Sequence, residues 1–454
     1  MKKWQKIGMT TALLFLFAGC GTSESEEATT DKDVVTLTYA NWNLGTDAEK
    51  NLERLMIDAF NVAYPNIQVK IDQTIDGDDY TGKMNTAASA GKLPDVFMIN
   101  DIPSNIKNEW LLDLSDLVAD DAEFAAVDQI IQETLQVEDQ VVAIPFAKHL
   151  LGYYVNTDLL DTLNLDAPTL DSHVEDFIDS IKQATDLGKG FVGVDSAHAI
   201  VDWYAGAQNE AMGWFTFQDG AFHLDANEMI EAVNTAKDLV TNQFSYINLP
   251  QEQKDALSGD DSGLAFKSGQ IAYFYNGTYM NADLQANADF NFSFIGLPGG
   301  RQAITADYLG ISQNTKDQEA AYTFAKYMSF GNEGFLKRIS LAEEHGFELA
   351  TLPLTNDSEV AEMYWAQVMV PGCEEANANL AQAMFEPTKV TPGYIQARFE
   401  ASTGLKIGEE DNANVWYLLN AATAGEINYQ DYAGQLQMLA QRQYEEANEA
   451  IFNE

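Results

Sequence analysis

Two kinds of side chain in this sequence are suited to work together at a recognition site. Aromatic rings at Trp42, Trp203, Trp214, Tyr275, Tyr279 and Trp365 stand near expected turns or strand ends. Amides, acids, a lysine and a histidine stand close to such positions, as at Asn43, Asp78, Asp101, Lys148 and His149. The C–H face of a pyranose is apolar while its hydroxyls point outward. Ring faces can therefore bury sugar carbons while neighbouring polar groups satisfy the hydroxyls. The plainer reading of each ring is an ordinary core aromatic, and Trp214 and Trp365 fit it best.

Catalytic and metal-binding patterns are absent from the sequence. The five histidines, at 149, 173, 198, 223 and 345, are scattered, with no His-Glu-x-x-His and no pair at helical spacing. Asp72, Thr74, Asp76 and Gly77 imitate the start of a calcium loop, but its twelfth position is Lys83 instead of the chelating Glu. No phosphate-binding glycine loop and no Gly-x-Ser-x-Gly turn occurs. Among 70 acidic residues no pair stands out as a glycosidase couple. Neither a metal nor a cofactor is expected.

Charge narrows the partner. Against those 70 acids stand 25 Lys and Arg in 454 residues, a net charge of −45. Such a field repels phosphate backbones and anionic headgroups, which excludes nucleic acid and favours a neutral or cationic ligand. With 46% hydrophobic residues the chain has ample material for buried cores.

The N-terminus sets the compartment. Lys2, Lys3 and Lys6 precede the apolar run Ile7–Ala18, which is short of the ~20 residues that span a bilayer. It ends in Phe17-Ala18-Gly19-Cys20, which resembles the lipobox of bacterial lipoproteins, with Phe17 where Leu is usual. Residues 1–19 are therefore expected to be a signal peptide and Cys20 a lipidation site. Residues 20–33, polar and acidic, would form a solvated tether to the outer face of the cell membrane. Cys373 is then left without a disulfide partner.

The elements that must position the candidate residues follow from periodicity. Residues 34–40 read as a strand that ends at Asn41-Trp42-Asn43. The Thr46–Glu49 spacing predicts a helix N-terminus, with Leu52, Leu55, Met56, Ala59 and Phe60 on its apolar face. Strands at 67–71 and 95–99 flank a helix-like stretch over 80–90. Further strands are expected at 141–145, 152–156, 191–194 and 271–275, and the chain from Glu359 onward reads as mostly helical. The alternation predicts an α/β fold of mainly parallel sheet flanked by helices, with ligand at the carboxyl ends of the strands.

Several segments in order carry a family resemblance. They are Tyr39-Ala40-Asn41-Trp42, Gly91-Lys92-Leu93-Pro94-Asp95-Val96, and Ile144-Pro145-Phe146 followed by Tyr154-Val155-Asn156-Thr157-Asp158. Gly269 to Tyr279 and Leu297-Pro298-Gly299-Gly300 complete the order. Together they resemble the extracellular solute-binding proteins of ABC importers, the class of maltose- and oligosaccharide-binding lipoproteins. The resemblance implies two lobes around a ligand cleft, a periplasmic-binding-protein-like fold. The N-terminal lobe would comprise 34–149 and 308–350, and the C-terminal lobe 150–307 and 351–454. Chain crossings would fall near 148–152, 303–307 and 348–352.

The same resemblance implies a binding site. Tyr279 occupies the family's stacking Trp place in an Asn-Gly-x-Trp motif, here Asn276-Gly277-Thr278-Tyr279. His149 stands at a cleft-facing position of the first crossing, with Lys148 beside it, and Trp203 falls where relatives place a stacking ring. Trp42, Asn43, Asp78 and Asp101 follow the first three strands, while Asp307 and Trp365 complete the candidate set. The expected function is capture of a carbohydrate, foremost an oligosaccharide, by lobe closure, and its delivery by a monomeric receptor to the permease subunits. The alternatives are a cationic ligand such as a polyamine or peptide, an extracellular glycosidase, or a purely adhesive surface protein.

Overall fold

The structure is a computed structural model that describes residues 34–452, Asp47 and Lys50 excepted. The signal-peptide, lipidation and tether assignments, Cys20 included, lie outside the described residues. Among the described residues no helix is long and apolar enough to cross a membrane.

The strands are β1 (Val35–Ala40), β2 (Ile67–Ile71), β3 (Val96–Ile99), β4 (Gln136–Val137), β5 (Gln140–Val141), β6 (Ile144–Asn156), β7 (Val192–Val194), β8 (Ile271–Gly277), β9 (Phe292–Phe294), β10 (Ala303–Ile311), β11 (Met384–Phe385), β12 (Ser402–Ile407) and β13 (Glu410–Asn414). Nine of them form one sheet in the order β2-β1-β3-β10-β6-β8-β7, with β11 beside β10 and β9 beside β6. Strands β1, β2 and β3 at one end pair in parallel, as do β7 and β8 at the other. Between them β10 and β6 run antiparallel to each other and to their outer neighbours. These two long strands carry side chains into both hydrophobic cores, as Leu150 and Ile304 into one and Leu151 and Ala303 into the other. The segments expected as separate strands at 141–145 and 152–156 are thus largely one thirteen-residue strand.

The buried side chains form two cores, the first of which runs from the N-terminal strands across to Phe266, Phe274 and Phe294 of the second lobe. In the first, Met56, Ile57 and Phe60 of helix Leu52–Ala63 meet Tyr39 of β1 and Phe324 of helix Gln318–Met328. The Tyr39 and Phe324 rings stand edge to face at 5.0 Å. In the second, Tyr153, Phe177, Trp203 and Tyr273 form a buried aromatic cluster. The helix at 52 begins with Asn51, whose side chain accepts from the Arg54 N–H at 3.0 Å. Thr46 and Glu49, expected to cap it, instead bond each other in a separate turn.

The C-terminal region departs from the helical expectation at β12–β13, an antiparallel hairpin turned at Gly408. The return to the second lobe is also spread out. Helix Ser358–Gln367 packs against helix Asn332–His345 of the first lobe, whereas helix Cys373–Ala378 packs on β9. Residues 351–376 therefore contribute to both sides of the molecule.

Candidate functional site

A cleft of about 500 Å³ lies between the lobes over β6 and β10. Its position follows from a bulge. Asp307 pairs with Ala147 but Tyr308 pairs with Pro145, so Phe146 has no partner on β10. An extra residue of this kind turns its strand and re-aims the side chains around it. Phe146, Ala147 and His149 consequently line the cleft, opposite Thr305 and Asp307 of β10.

The first lobe contributes Trp42 and Asn43 from the short turn that follows β1. Asn41 holds that turn: its side chain accepts from the Asn43 N–H at 2.7 Å and donates to the Tyr39 hydroxyl at 2.8 Å. The Trp42 ring rests edge-on against Tyr80 at 5.2 Å. Tyr80 in turn donates to the carbonyls of Ala40 and Met98, fastening the ends of β1 and β3 under the indole.

From the second lobe comes Tyr279, beyond the end of β8, with 45% of its surface exposed. Its ring meets the His149 ring edge to face at 5.3 Å. The hydroxyl of Thr278 accepts from the Leu150 N–H at 3.1 Å, tying this corner to β6. Burial raises the Tyr279 phenol above its ordinary pKa, so it stays a neutral donor.

Two of the three acids that line the cleft are compensated internally, and the third, Glu348, is exposed. Asp307 pairs with Lys389, and His149 Nε2 stands 3.9 Å from its other oxygen. Burial alone would raise this carboxyl, but His149 and the Lys389 charge outweigh it and hold the pKa at about 2. Arg338 pairs with Glu53 and donates to the Met328 carbonyl at 2.9 Å. His149 Nδ1 is buried and has no protein partner.

Of the residues proposed from the sequence, Trp42, Asn43, His149, Tyr279 and Asp307 meet in this cleft. The others lie elsewhere. Lys148 projects from the opposite face of β6, because adjacent strand residues alternate, and its ammonium is buried at 2.6 Å from Asp128. Trp203 is fully buried and donates to the Tyr153 hydroxyl at 3.1 Å. Trp365 packs edge-on against Tyr364 at 4.8 Å, outside the cleft. Asp78 is exposed in the loop after β2, its N–H bonded to Asp76. Asp101 caps helix Ile102–Lys107 by accepting from the Ser104 N–H at 2.7 Å, and it borders a smaller interlobe cavity.

The sequence reading missed Phe146, Thr305, Arg338, Phe347, Glu348, Thr351 and Lys389, all of which line the cleft. Alternation along β10 would have found Thr305 once Asp307 was chosen. Nothing local marks Arg338 or Lys389. In the loop that imitates a calcium site, the Lys83 ammonium binds Asp76 itself. Among the described residues no cluster of His, Cys, Asp and Glu is arranged to hold a metal ion.

Comparison with known proteins places this geometry. The model of the bacterial extracellular solute-binding proteins matches residues 44–330. YcjN of Escherichia coli, assigned as an ABC transporter periplasmic-binding protein, is 23% identical over 337 residues, covering 71% of this chain and 74% of its own. An ABC substrate-binding protein of Listeria monocytogenes in complex with cycloalternan superimposes with a TM-score of 0.67 at 19% identity, over 90% of this chain and 99% of the other. The cyclic alpha-maltosyl-1,6-maltose binding protein of Arthrobacter globiformis gives 0.66 at 17% identity, over 91% and 99%. The GacH receptor of Streptomyces glaucescens, solved unliganded and with acarbose, gives 0.63 at 18% identity, over 90% and 98%. Two lobes joined by shared strands, a ligand-sized cleft over those strands and a match across more than half of the sequence lead to one conclusion: this chain belongs to the bacterial extracellular solute-binding proteins.

Proposed function

We propose that the protein is the carbohydrate receptor of an ABC importer, that it grips its ligand between Trp42 and Tyr279, and that it hands the ligand unaltered to the permease. The observation that carries this reading is the pairing of charges in the cleft. Asp307 and Glu53 are already matched by Lys389 and Arg338, and the remaining acid, Glu348, is exposed to water, so a neutral guest enters without stranding a buried charge. Rings from both lobes supply apolar faces, while Asn43, His149, Thr305 and Asp307 supply hydroxyl partners. The saccharides named with several solved relatives support the same class.

In this reading the lobes close by a hinge in β6 and β10, and the permease favours the closed, loaded shape. The receptor is a monomer tethered through a lipid on Cys20 to the outer face of the cell membrane. Radiolabelled palmitate should enter the wild-type protein and not Cys20→Ser.

Isothermal titration against a panel of mono- and oligosaccharides tests the ligand class, and silence toward every sugar would remove it. Affinity for a neutral sugar should be nearly independent of salt, whereas a polyamine or cationic peptide would be displaced by it. Chromatography of the recovered ligand should return it intact; cleavage would favour a glycosidase instead.

A further inference from the structure

The space between the lobes is not one groove but three compartments that share a wall. The first is the 500 Å³ cleft just described. A second, of about 410 Å³, lies between Ile130 and Thr134 of the first lobe and Trp214 and Arg301 of the second. A third, of about 210 Å³, lies between Asp101 and Lys107 on one side and Gln396 and Ala450 on the other. Each is bounded by the segment Glu386–Gly393: Lys389 faces the first compartment, Pro387 and Val390 the second, Thr388 and Gly393 the third, and Thr391 both of the last two.

The segment is a compact local unit. Pro387 and Pro392 carry no N–H for a ladder, so it cannot extend β11 along β10. It bonds partly to itself and partly to β10, where the Glu386 N–H donates to the Ile304 carbonyl at 2.8 Å. The Glu386 carboxylate accepts from the Thr388 N–H, and the Pro387 carbonyl accepts from Val390 and Thr391 at 3.1 and 2.9 Å. Gly393 ends it with φ +80°, a turn conformation that side chains oppose. Its middle is tied down by the ion pair from Lys389 to Asp307 on the crossing strand, and by Val390 packed on the first core.

Resting on the carbohydrate reading, we propose that residues 386–393 are a movable divider that sets the length of saccharide the cleft admits, and that Lys389 holds it shut. With the ion pair formed, the ligand is confined to the first compartment, which suits a short saccharide. With the divider displaced, the three compartments join and a longer chain fits.

Two measurements on full-length Lys389→Met test this, with Asp307→Asn breaking the same pair from the other side. Hydrogen exchange at the N–H groups of Thr388, Lys389, Val390, Thr391 and Gly393 should quicken by about tenfold in both variants, with exchange in β6 and β8 unchanged. The affinity of Lys389→Met for maltohexaose relative to maltose should rise by about tenfold over wild type. Unaltered exchange would overturn the divider, and faster exchange with an unaltered affinity ratio would overturn its control of length. Should wild type and variant bind neither sugar, length control falls with the functional reading for this class, and the exchange result still decides whether the divider exists.

Discussion

The ring of Tyr279 lies over Gly277, in the space that a Cβ at residue 277 would fill. Gly277 has an ordinary extended backbone, φ −94° and ψ 160°, so its lack of a side chain serves the ring and not the turn. The ring is thus positioned by an absence two residues earlier. Gly277→Ala should push the ring aside while barely disturbing the strand. The expected result is a ligand affinity lowered by about tenfold with a nearly unchanged melting temperature, read by titration and calorimetry. Equal affinity in the variant would show that the ring's place does not matter.

Aromatic residues inside and outside the cleft should separate cleanly. Trp42→Ala and Tyr279→Ala should each weaken binding by about 1–2 kcal/mol, with modest effects on stability. Trp203→Ala should cost about 3–5 kcal/mol of stability, because it empties a fully buried site and strands the Tyr153 hydroxyl. Its folded fraction should bind normally. Chemical denaturation and titration on the same samples check both halves.

Lys148 is a structural ion in a low-dielectric site. Burial lowers its pKa and the Asp128 charge opposes that shift. Lys148→Met leaves Asp128 without its partner and should destabilise the fold by about 3 kcal/mol, while ligand affinity stays the same. Replacing both residues, as Lys148→Met with Asp128→Leu, should recover most of the loss. Urea midpoints of the two variants decide the matter.

Asp195 gives stability a pH dependence of its own. It is buried at the end of β7, and burial raises its pKa from 3.8 to about 7, against the hydrogen bond its carboxylate accepts from the Tyr275 N–H. Between those values the folded protein keeps a proton that the unfolded chain has released. This contribution is therefore complete below about pH 4 and is lost as the pH rises through about 7. Asp195→Asn removes it. The variant should gain on the order of 2–4 kcal/mol relative to wild type between pH 5 and pH 8, measured by denaturation at both. A difference that does not vary with pH would count against the assignment.

The sequence by itself determined the local elements and the class of the fold. Alternation in residues 67–71, the buried run at 96–99 and the helical stripe of Met56 and Phe60 are set by burial period, and each appears where that period puts it. The motif around Asn276-Gly277 and the turn Trp42-Asn43 were legible for the same reason, since both lie beside strand ends. Alternation also held the means to part His149 from Lys148, one on each face of β6. What the tertiary structure alone decided is which distant residues meet. Arg338 and Glu53 are 285 positions apart, and Lys389 and Asp307 82 apart. No local propensity encodes such pairs. The first forms because helix Leu52–Ala63 packs on helix Asn332–His345, the second because the chain after β11 lies beside β10, and only in such packing does pairing repay the cost of taking those charges out of water.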